Sequence, residues 1–431
     1  MARKMKDSGI EWIGEIPEGW EVAKLKNIVS IVRGGSPRPI EAYMSDNDND
    51  VNWIRISDTE KGSKYITHTS RKLIASGISK SRFIKRGSLI LTNSMSFGEP
   101  YILDIDGCIH DGWVAFSDFK KIDKEFLYYF LTSPLAKIQF EQQVDGGVVK
   151  NLNIDKIGDT VILLPSLIDQ NKVIAHLDSL TSETNSLLSK TITSIEEYKK
   201  LKQAVITQAV TKGVRGEREM KDSGVEWIGE IPEEWNKCKL KNISIDIGDG
   251  LHGTPKFDDS GEVYFINGNN FSSEYVEPKF DTKKLCLEES LNYPKPELTE
   301  QTIMISLNGS YGKVCLYRYF PMLLGKSAGY ITLLPSINRR YVRYYLSSTP
   351  AQTIMTLSLN GTTIPNLSLY TLYNFPTILP SASEQAEIAD YLDAKCAEID
   401  GLIAKKEQLV KELESYKKSL IYEVVTGKRE V

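Results

Sequence analysis

The chain has 431 residues, of which 41% are hydrophobic and 26% charged, and its formal net charge is −4. This length allows several domains, each with its own core, while no stretch approaches the roughly 20 apolar residues of a membrane span and no apolar run marks a secretory signal, so we expect a cytoplasmic protein. The five cysteines and four histidines are dispersed without a C-x-x-C pair, which argues against a disulfide framework and against a metal site.

A long internal repeat divides the chain into two halves. The stretch from Met5 to Ile28 (MKDSGIEWIGEIPEGWEVAKLKNI) returns as Met220 to Ile243 (MKDSGVEWIGEIPEEWNKCKLKNI). The same offset relates Leu164-Pro165-Ser166 to Leu379-Pro380-Ser381. A repeat of this length is a duplication and not a solenoid array. The sequence predicts a globular domain over 1–163, a long helix within 164–216, a second domain over 217–378 and a second helix within 379–431.

The repeated opening stretch contains a glycine or proline every few residues, so it cannot form a long helix. We interpret its tryptophans, Trp12 and Trp20 with their copies Trp227 and Trp235, as anchors packed on a core. Each domain then shows short mixed segments, which predicts an α+β fold. The expected buried strands are residues 89–91, 160–164 and 302–305, and the expected amphipathic helices are residues 125–140 and 340–355.

The segments that follow Pro165 and Pro380 predict long helices. Apolar residues recur there about every 3.5 residues, which is typical of a coiled-coil seam. Asp169 and Glu384 suit the positive ends of the helix dipoles, and Gly213 and Gly427 are expected to end the helices. The predicted seam residues are Val173, Leu177, Leu180, Leu187, Tyr198, Leu201 and Val205 in the first helix and Ile388, Leu392, Ile399, Leu402, Leu409, Leu413, Tyr416 and Leu420 in the second.

Chain lengths favour antiparallel pairing of these helices. A helix of about 40 residues is about 60 Å long, whereas a compact domain of the size of residues 220–378 is only about 38 Å across. This domain must join the end of the first helix to the start of the second. Parallel helices would demand that its termini lie a full helix length apart. We therefore expect two domains separated by antiparallel helices, with pseudo-twofold symmetry and a circular topology.

Positive charge is concentrated in each half of the chain. No acidic residue occurs between Glu60 and Glu99 or between Glu300 and Glu384, whereas both intervals contain several lysines and arginines. Such clustering is expected of a surface that contacts phosphates. A solvated loop is the alternative explanation for any single basic run.

Catalytic signatures are weak or missing. The sequence contains no amino-methyltransferase motif, no Rossmann glycine motif and no Walker A motif. Gly309 to Val314 (GSYGKV) lacks the first glycine and the Ser/Thr of a P-loop and is expected to form a tight turn. Asp258 or Asp259 with Glu277 and Lys279 has the residue types of a metal-dependent nuclease, but Pro278 is unfavourable in the strand that would present them.

Several motifs resemble the specificity subunit of type I restriction-modification enzymes. The most specific is KDSGIEWIGEIPEGW at residues 6–20 with its copy at 221–235. The others are the turns Gly35-Ser36-Pro37-Arg38 and Gly253-Thr254-Pro255-Lys256, the Asn-Leu pairs that begin at Asn151 and Asn366, and the helices that end in AVTKG and VVTGK. The resemblance covers the whole chain.

This resemblance implies a non-catalytic, sequence-specific DNA-binding subunit. It implies two target-recognition domains that each read one half of a split, asymmetric site in double-stranded DNA, with the helices setting the spacer. It also implies two methyltransferase (modification) subunits that dock on the helical region and restriction subunits that translocate and cut DNA. S-adenosylmethionine, ATP and Mg²⁺ would belong to these partners, and this chain would bind no cofactor itself.

Base edges in the major groove require donors and acceptors on loops. The base-reading candidates are Ser36, Arg38, Arg55, Asn93 and Ser94 in the first domain and His252, Thr254, Lys256, Asn267, Asn269 and Ser310 in the second. The phosphate-contact candidates are Arg71, Lys72, Arg82, Lys85, Arg86, Arg318, Lys326 and Arg343. Turn capping is an alternative role for each base-reading candidate. A structural adaptor without DNA binding and a self-sufficient nuclease remain alternatives for the whole chain.

Overall fold

The computed structural model describes residues 3–11, 13–60, 62–94, 97–143, 152–359 and 365–431. Trp12 and Asn151, which the sequence analysis singled out, lie outside these residues. The chain forms two compact units. Unit 1 comprises Met1–Ile192 and Glu407–Val431, and unit 2 comprises Thr193–Lys406. Each unit therefore contains one α+β domain and a part of each long helix.

Short strands make up most of the first domain. They are β1 (Met5–Asp7), β2 (Glu15–Pro17), β3 (Glu21–Lys24), β4 (Ser30–Arg33), β5 (Met44–Ser45), β6 (Val51–Ile54), β7 (Tyr65–Ile66), β8 (Lys72–Leu73), β9 (Arg82–Ile84), β10 (Leu89–Thr92), β11 (Pro100–Leu103), β12 (Gly107–Ile109), β13 (Trp113–Ser117) and β14 (Val161–Leu164). The two larger sheets have the strand orders β4-β13-β10-β11-β7 and β5-β8-β6-β12-β9. Strand β10, whose residues are all buried, and strand β14 lie where the sequence predicted them.

The helices of the first half are α1 (Leu25–Ile28), α2 (Ala75–Ile78), α3 (Lys124–Thr132), α4 (Pro134–Gln143), α5 (Ile154–Asp159) and α6 (Leu167–Lys212). Short 3-10 turns occur at Ile40–Tyr43 and Ile56–Asp58. The single helix predicted over 125–140 is wrong, because Ser133 is extended at φ −68°, ψ 152° between α3 and α4. Pro134 follows directly, and a proline disfavours helical backbone in the residue before it.

The second half repeats this plan. Its elements are β15 (Met220–Asp222), β16 (Glu230–Pro232), β17 (Asn236–Lys239), β18 (Ser244–Asp249), β19 (Val263–Ile266), β20 (Lys284–Leu285), α7 (Leu287–Leu291), β21 (Thr302–Ser306), β22 (Val314–Leu316), β23 (Met322–Leu324), β24 (Ala328–Leu333), α8 (Arg339–Ser347), α9 (Thr349–Leu357), α10 (Leu369–Tyr373), β25 (Pro376–Leu379) and α11 (Ala382–Val425), with 3-10 turns at Leu240–Asn242 and Gly268–Asn270. The larger sheets have the orders β18-β24-β21-β22 and β20-β19-β23. The helix predicted over 340–355 is again two helices, broken at Ser348 ahead of Pro350.

The repeated opening stretch packs against the end of a long helix in both units. In unit 1, Ile16 and Trp20 share a core with Val424 near the end of α11. In unit 2, their copies Ile231 and Trp235 share a core with Val210 near the end of α6. Trp20 and Trp235 are buried anchors as predicted, whereas Trp227 is 48% exposed, so the anchor interpretation is wrong for Trp227.

The long helices pair in antiparallel fashion within each unit. In unit 1, Lys417 donates a hydrogen bond to Asn185 at 2.7 Å. In unit 2, Lys202 lies 2.6 Å from Asp400 and Arg215 lies 2.7 Å from Glu387. From residue 202 on α6 to residue 215 just beyond its end, the partner on α11 thus moves back from 400 to 387, toward the start of that helix. Gly213 and Gly427 have the positive φ angles expected of helix stops.

The buried stripe of both helices drifts away from the predicted seam in the middle of each helix. Leu187, Leu201, Leu409 and Tyr416 are 52%, 47%, 42% and 49% exposed, and these four seam predictions are wrong. An α-helix has 3.6 residues per turn, so a pattern of 3.5 loses register with the buried face over several turns. The other predicted positions are buried (Val173, Leu177, Ile388, Leu392, Ile399, Leu420) or half-buried (Leu180, Tyr198, Val205, Leu402, Leu413).

Candidate nucleic-acid interface

The short turn that joins β12 to β13, residues 110–112, gathers most of the first domain's candidates around it. The loop that follows β4 lies against this turn, and the backbone N–H of Gly35 donates to the carbonyl of Ile109 at 3.0 Å. A Cβ on Gly34 would lie 2.1 Å from the carbonyl oxygen of His110. Glycine is therefore needed for the two loops to approach so closely.

Asp111 holds a carboxylate at the outer side of this turn. Ser36 Oγ donates to Asp111 Oδ1 at 2.8 Å, and Arg38 lies 3.7 Å from Oδ2 with its side chain 84% exposed. Arg33 donates to the main-chain carbonyl of Asp111. Burial acts to raise the pKa of the Asp111 carboxyl, but the hydrogen bonds from Ser36 and the backbone and the nearby positive charge outweigh it and hold the pKa below its usual value. The carboxylate is thus ionised and fixed in position.

His110 fastens the turn to the segment that follows β6. The backbone N–H groups of Ile56 and Gly112 lie 3.2 and 2.7 Å from its two ring nitrogens. Burial lowers the pKa of His110, which favours the neutral ring. Next to Ile56, the Arg55 guanidinium contacts Asp58 at 3.4 Å and donates to Ser70 Oγ at 2.6 Å. Arg55 therefore lies close to the turn but is partly engaged within the domain.

Asn93 and Ser94 continue from β10 beneath the turn. The backbone N–H of Asn93 donates to the carbonyl of Gly112 at 2.9 Å. The Asn93 side chain is only 2% exposed, so its assignment as a base reader is wrong. Asn93 lies buried directly after β10, which its polar residue type did not indicate. Ser94 is partly exposed beside Gly112, and its role as a base reader stays a prediction.

The second domain builds the same main-chain frame around residues 325–327, between β23 and β24. Leu251 N–H donates to the carbonyl of Leu324 at 2.7 Å, as Gly35 does to Ile109. Leu307 N–H donates to the carbonyl of Ser327 at 3.0 Å, as Asn93 does to Gly112. These matching bonds place Gly325-Lys326-Ser327 in unit 2 where unit 1 has His110-Asp111-Gly112.

The segment that follows β19, the equivalent of β6 in unit 2, is held in the same way as the segment that follows β6. Asn267 N–H donates to Asn270 Oδ1 at 3.0 Å, and the corresponding bond in unit 1 joins Arg55 N–H to Asp58. Asn267 Oδ1 in turn accepts a hydrogen bond from Ser327 Oγ at 2.9 Å. Two candidates at matching places, Arg55 and Asn267, thus flank the turn in their own units.

The remaining base-reading candidates of the second domain lie in exposed loops. His252 Nε2 lies 2.7 Å from Asp249 Oδ2, so its ring is oriented by a carboxylate. Lys256 is fixed through its backbone N–H, which donates to Glu289, while its side chain is exposed. Ser310 lies in the expected tight turn, where its carbonyl accepts from Ser306 Oγ at 2.6 Å. Thr254 and Asn269 are exposed.

The phosphate-contact candidates differ in how freely they reach solvent. Arg82 and Lys85 are exposed, and Arg82 pairs across the sheet with Ile109 beside the turn. Arg86 is exposed but contacts Asp104 at 2.7 Å, and Lys72 donates to Asn52. Arg71, Arg318 and Lys326 are exposed.

Arg343 does not fit the role predicted for it. Only 13% of its side chain is exposed, and its guanidinium lies over the ring of Tyr344. The amphipathic pattern of α8 turns Arg343 partly toward the core, so its prediction as a phosphate contact is wrong.

His110 and Asp111 were not predicted from the sequence. They lie outside the two acid-free intervals, and their partners come from three distant parts of the chain. Their only signal is a turn motif, His-Asp-Gly, between two short apolar strands.

Within the described ranges, His, Cys, Asp and Glu side chains form no group of three or more that could hold a metal ion. The carboxylate of Asp258, one of the nuclease-type residues, accepts hydrogen bonds from the Ser260 backbone and hydroxyl and so caps its own turn. In the same described part of the chain, no helix is both long and apolar enough to cross a membrane.

A family model described as the type I restriction modification DNA specificity domain matches the chain twice, over residues 17–197 and 232–412. The chain belongs to this specificity family. As a member it is a non-catalytic DNA-recognition subunit of a type I restriction-modification system, and the two matches follow the internal repeat.

Relatives and solved structures agree with this assignment. The type I restriction enzyme MjaVIII specificity subunit of Methanocaldococcus jannaschii is 26% identical over 431 residues, which cover 96% of this chain and 93% of the relative. Two solved chains share the fold. A chain from a study of complex assembly and conformational transition in the type I R-M system has a TM-score of 0.74 at 17% identity and 96% and 99% coverage of the two chains. The crystallised HsdS subunit from Thermoanaerobacter tengcongensis has a TM-score of 0.52 at 17% identity and 96% and 98% coverage.

Proposed function

We propose that each unit of this specificity subunit reads one half of a split, asymmetric site in double-stranded DNA. It does so through the loops around its central turn, which is residues 110–112 in unit 1 and residues 325–327 in unit 2. In unit 1 this surface comprises Ser36, Arg38, Arg55 and Ser94 around residues 110–112. In unit 2 it comprises His252, Thr254, Lys256, Asn267, Asn269 and Ser310 around residues 325–327. The exposed cations Arg71, Arg82, Lys85, Arg86 and Arg318 contact phosphates, which set position but not sequence.

One observation carries this proposal. The main-chain hydrogen bonds that frame the turn are the same in both units, while the side chains placed on the frame differ at nearly every position. A shared scaffold with unlike side chains is what two readers of unlike half-sites require.

An exchange of one domain tests the division of labour. Residues 28–163 would be replaced by the equivalent residues of another family member, and the preferred site would be determined by selection from randomised duplexes. We expect one half-site to change and the other to stay. The matched control exchanges residues 243–378 and should alter the opposite half-site. A swap that changes both half-sites or neither contradicts the proposal.

We also propose that the helical region docks two modification subunits, and that restriction subunits join the assembly through them. Both units leave apolar helix residues exposed: Leu187, Ile192, Leu409 and Tyr416 in unit 1 and Leu201 in unit 2. Exposed apolar surface of this kind supports a protein interface. S-adenosylmethionine, ATP and Mg²⁺ then belong to the partners.

Co-purification tests this docking surface. Leu187→Glu with Leu201→Glu should reduce recovery of a co-expressed modification subunit, because a carboxylate is costly to bury in an apolar contact. Lys190→Glu with Lys405→Glu, at exposed positions of the same helices, serves as control. Full recovery with the leucine variants would place the interface elsewhere.

A further inference from the structure

The two central turns place side chains of opposite charge at the same position of the frame. Asp111 stands between His110 and Gly112 in unit 1, and Lys326 stands between Gly325 and Ser327 in unit 2. The equivalence rests on the bonds just before and just after each turn, from Gly35 and Leu251 on one side and from Asn93 and Leu307 on the other. Asp111 and Lys326 therefore occupy equivalent places in the two units but carry opposite charges.

The Asp111 carboxylate is built to accept a further hydrogen bond. It is 44% exposed, and the hydrogen bond from Ser36 fixes Oδ1. The exposed Arg38 guanidinium lies 3.7 Å from Oδ2, which is beyond hydrogen-bond distance, so this oxygen keeps lone pairs for an incoming donor. The depressed pKa of the carboxyl keeps it an acceptor only.

A carboxylate is otherwise unfavourable on a surface that approaches phosphates. A purely structural role as a clip between loops does not explain it. In unit 2 the same two loops are joined by the Leu251 to Leu324 backbone bond without any carboxylate at the turn. The Asp111 carboxylate is therefore not needed to hold the two loops together.

Lys326 supplies the opposite chemistry. Its side chain is exposed, and within the described part of the chain no carboxylate lies in ion-pair distance of its ammonium group. An ammonium has three donors and no acceptor. Its neighbour Ser327 is bonded to Asn267, which ties the turn to a predicted base reader.

Resting on the proposed function, we propose that Asp111 and Lys326 are specificity-determining residues that read opposite base edges in the major groove. Asp111 accepts from the N4 amine of a cytosine in the half-site of unit 1, and Lys326 donates to O6 and N7 of a guanine in the half-site of unit 2. Cytosine offers a lone donor, whereas adenine adds an N7 acceptor that repels a carboxylate, and guanine offers two adjacent acceptors. Lys326 is thus a base reader and not the phosphate contact suggested by its charge alone.

Selection from randomised duplexes with the purified full chain tests this assignment. Asp111→Asn should shift one position of one half-site from cytosine toward adenine, because an amide presents a donor beside its acceptor. Lys326→Gln should shift one position of the other half-site from guanine toward adenine for the same reason. Asp111→Ala and Lys326→Ala should each lower the preference at that position by about tenfold. Ser36→Ala removes the hydrogen bond that fixes the Asp111 carboxylate and should weaken the cytosine preference less than Asp111→Ala does.

Matched controls remove the same charges elsewhere. Glu141→Gln on α4 and Lys241→Gln in the 3-10 turn at 240–242 are exposed and should leave both half-sites unchanged. Retained low-salt binding to random duplex shows that a variant is folded, and the Asn and Ala variants report on the same position independently. A wild-type chain that selects no sequence contradicts the proposed function. A wild-type chain that selects a split site, with variants that select the same site, overturns the roles of Asp111 and Lys326 alone.

Discussion

At the residue scale, we propose that exposed arginines set how strongly the first domain holds DNA regardless of sequence. Arg82 and Arg86 are exposed on and just after β9, at the edge of the sheet that carries the central turn. Each phosphate contact releases about one counterion, so log K falls with log salt with a slope of about −0.9 per contact.

Charge reversal at Arg82 and Arg86 should therefore weaken binding to all duplexes and make the salt dependence shallower by about two units of slope. Titrations of one random duplex between low and moderate salt measure this. Charge reversal at Lys405, exposed on α11, is the control. An unchanged slope would remove both arginines from the phosphate-contacting surface.

A buried acid shows how unequal the two copies are at residue scale. Glu384 is 1% exposed, lies 2.6 Å from the Arg218 guanidinium and accepts a hydrogen bond from Trp235 Nε1 at 3.0 Å. Asp169 occupies the matching place in the first copy, but its side chain is 35% exposed and contacts Lys172 at 3.6 Å.

Glu384→Ala should lower the free energy of unfolding by about 1.5–3 kcal/mol, because it removes the buried carboxylate that Arg218 and Trp235 Nε1 both contact, while Arg218 keeps its contact with Glu234 at 2.8 Å. Asp169→Ala should cost about 1 kcal/mol or less, as expected for a partly exposed pair. Urea titrations of both variants provide the comparison. Equal losses would show that the buried cluster adds nothing beyond a surface pair.

At the scale of elements, the long helices are the proposed determinant of the spacer between half-sites. One heptad inserted in the middle of α6 and of α11 lengthens each by about 10.5 Å, or about 3 bp of B-DNA. The preferred spacer, measured by selection from duplexes with randomised spacing, should grow. The same insertion in α6 alone breaks the antiparallel pairing and serves as control. A fixed spacer would contradict this role of the helices.

Elements were predictable from the sequence where local patterns determine them. The repeat, the buried strands β10, β14 and β21 and the two long helices all follow from composition and spacing. The breaks at Ser133 and Ser348 had a local signal in Pro134 and Pro350, but the apolar periodicity of the surrounding helix outweighed it. The drift of the seam at Leu187 and Tyr416 depends on how two helices pack, which spacing within one helix cannot give.

The candidate site was harder to predict because it is built by contacts between distant segments. Ser36 and Arg55 were chosen for their residue types, and the structure places both near the same turn. Asp111 had no such signal, since its significance lies in the partners that fix it. Burial decided the cases of Asn93 and Arg343, and burial of a polar residue is set by tertiary packing.

The whole molecule has the circular connectivity that the repeat predicted. The start of the chain packs on the end of α11 in unit 1 as residues 220–235 pack on the end of α6 in unit 2. Residues 213–219 make the covalent link between helix and repeat in unit 2.

A circular permutant should therefore fold. Joining Val431 to Arg3 through a copy of residues 213–219 and opening the chain near Gly216 leaves every core contact in place. Unfolding transitions and low-salt DNA binding should match those of the parent chain. A control opened inside β10, between Leu89 and Thr92, cuts a buried strand and should not fold. Failure of the first permutant would contradict the circular topology.

This connectivity sets an order of events during synthesis. The core of unit 1 needs Leu420, Val424 and Val425, which the ribosome adds after all of unit 2, although the strands of unit 1 are made before unit 2. All residues of unit 2, which ends at Lys406, are synthesised before these three. The domain encoded first is thus completed after the other, and a chain that stops before Leu420 would leave the hydrophobic interior of unit 1 exposed while sparing unit 2.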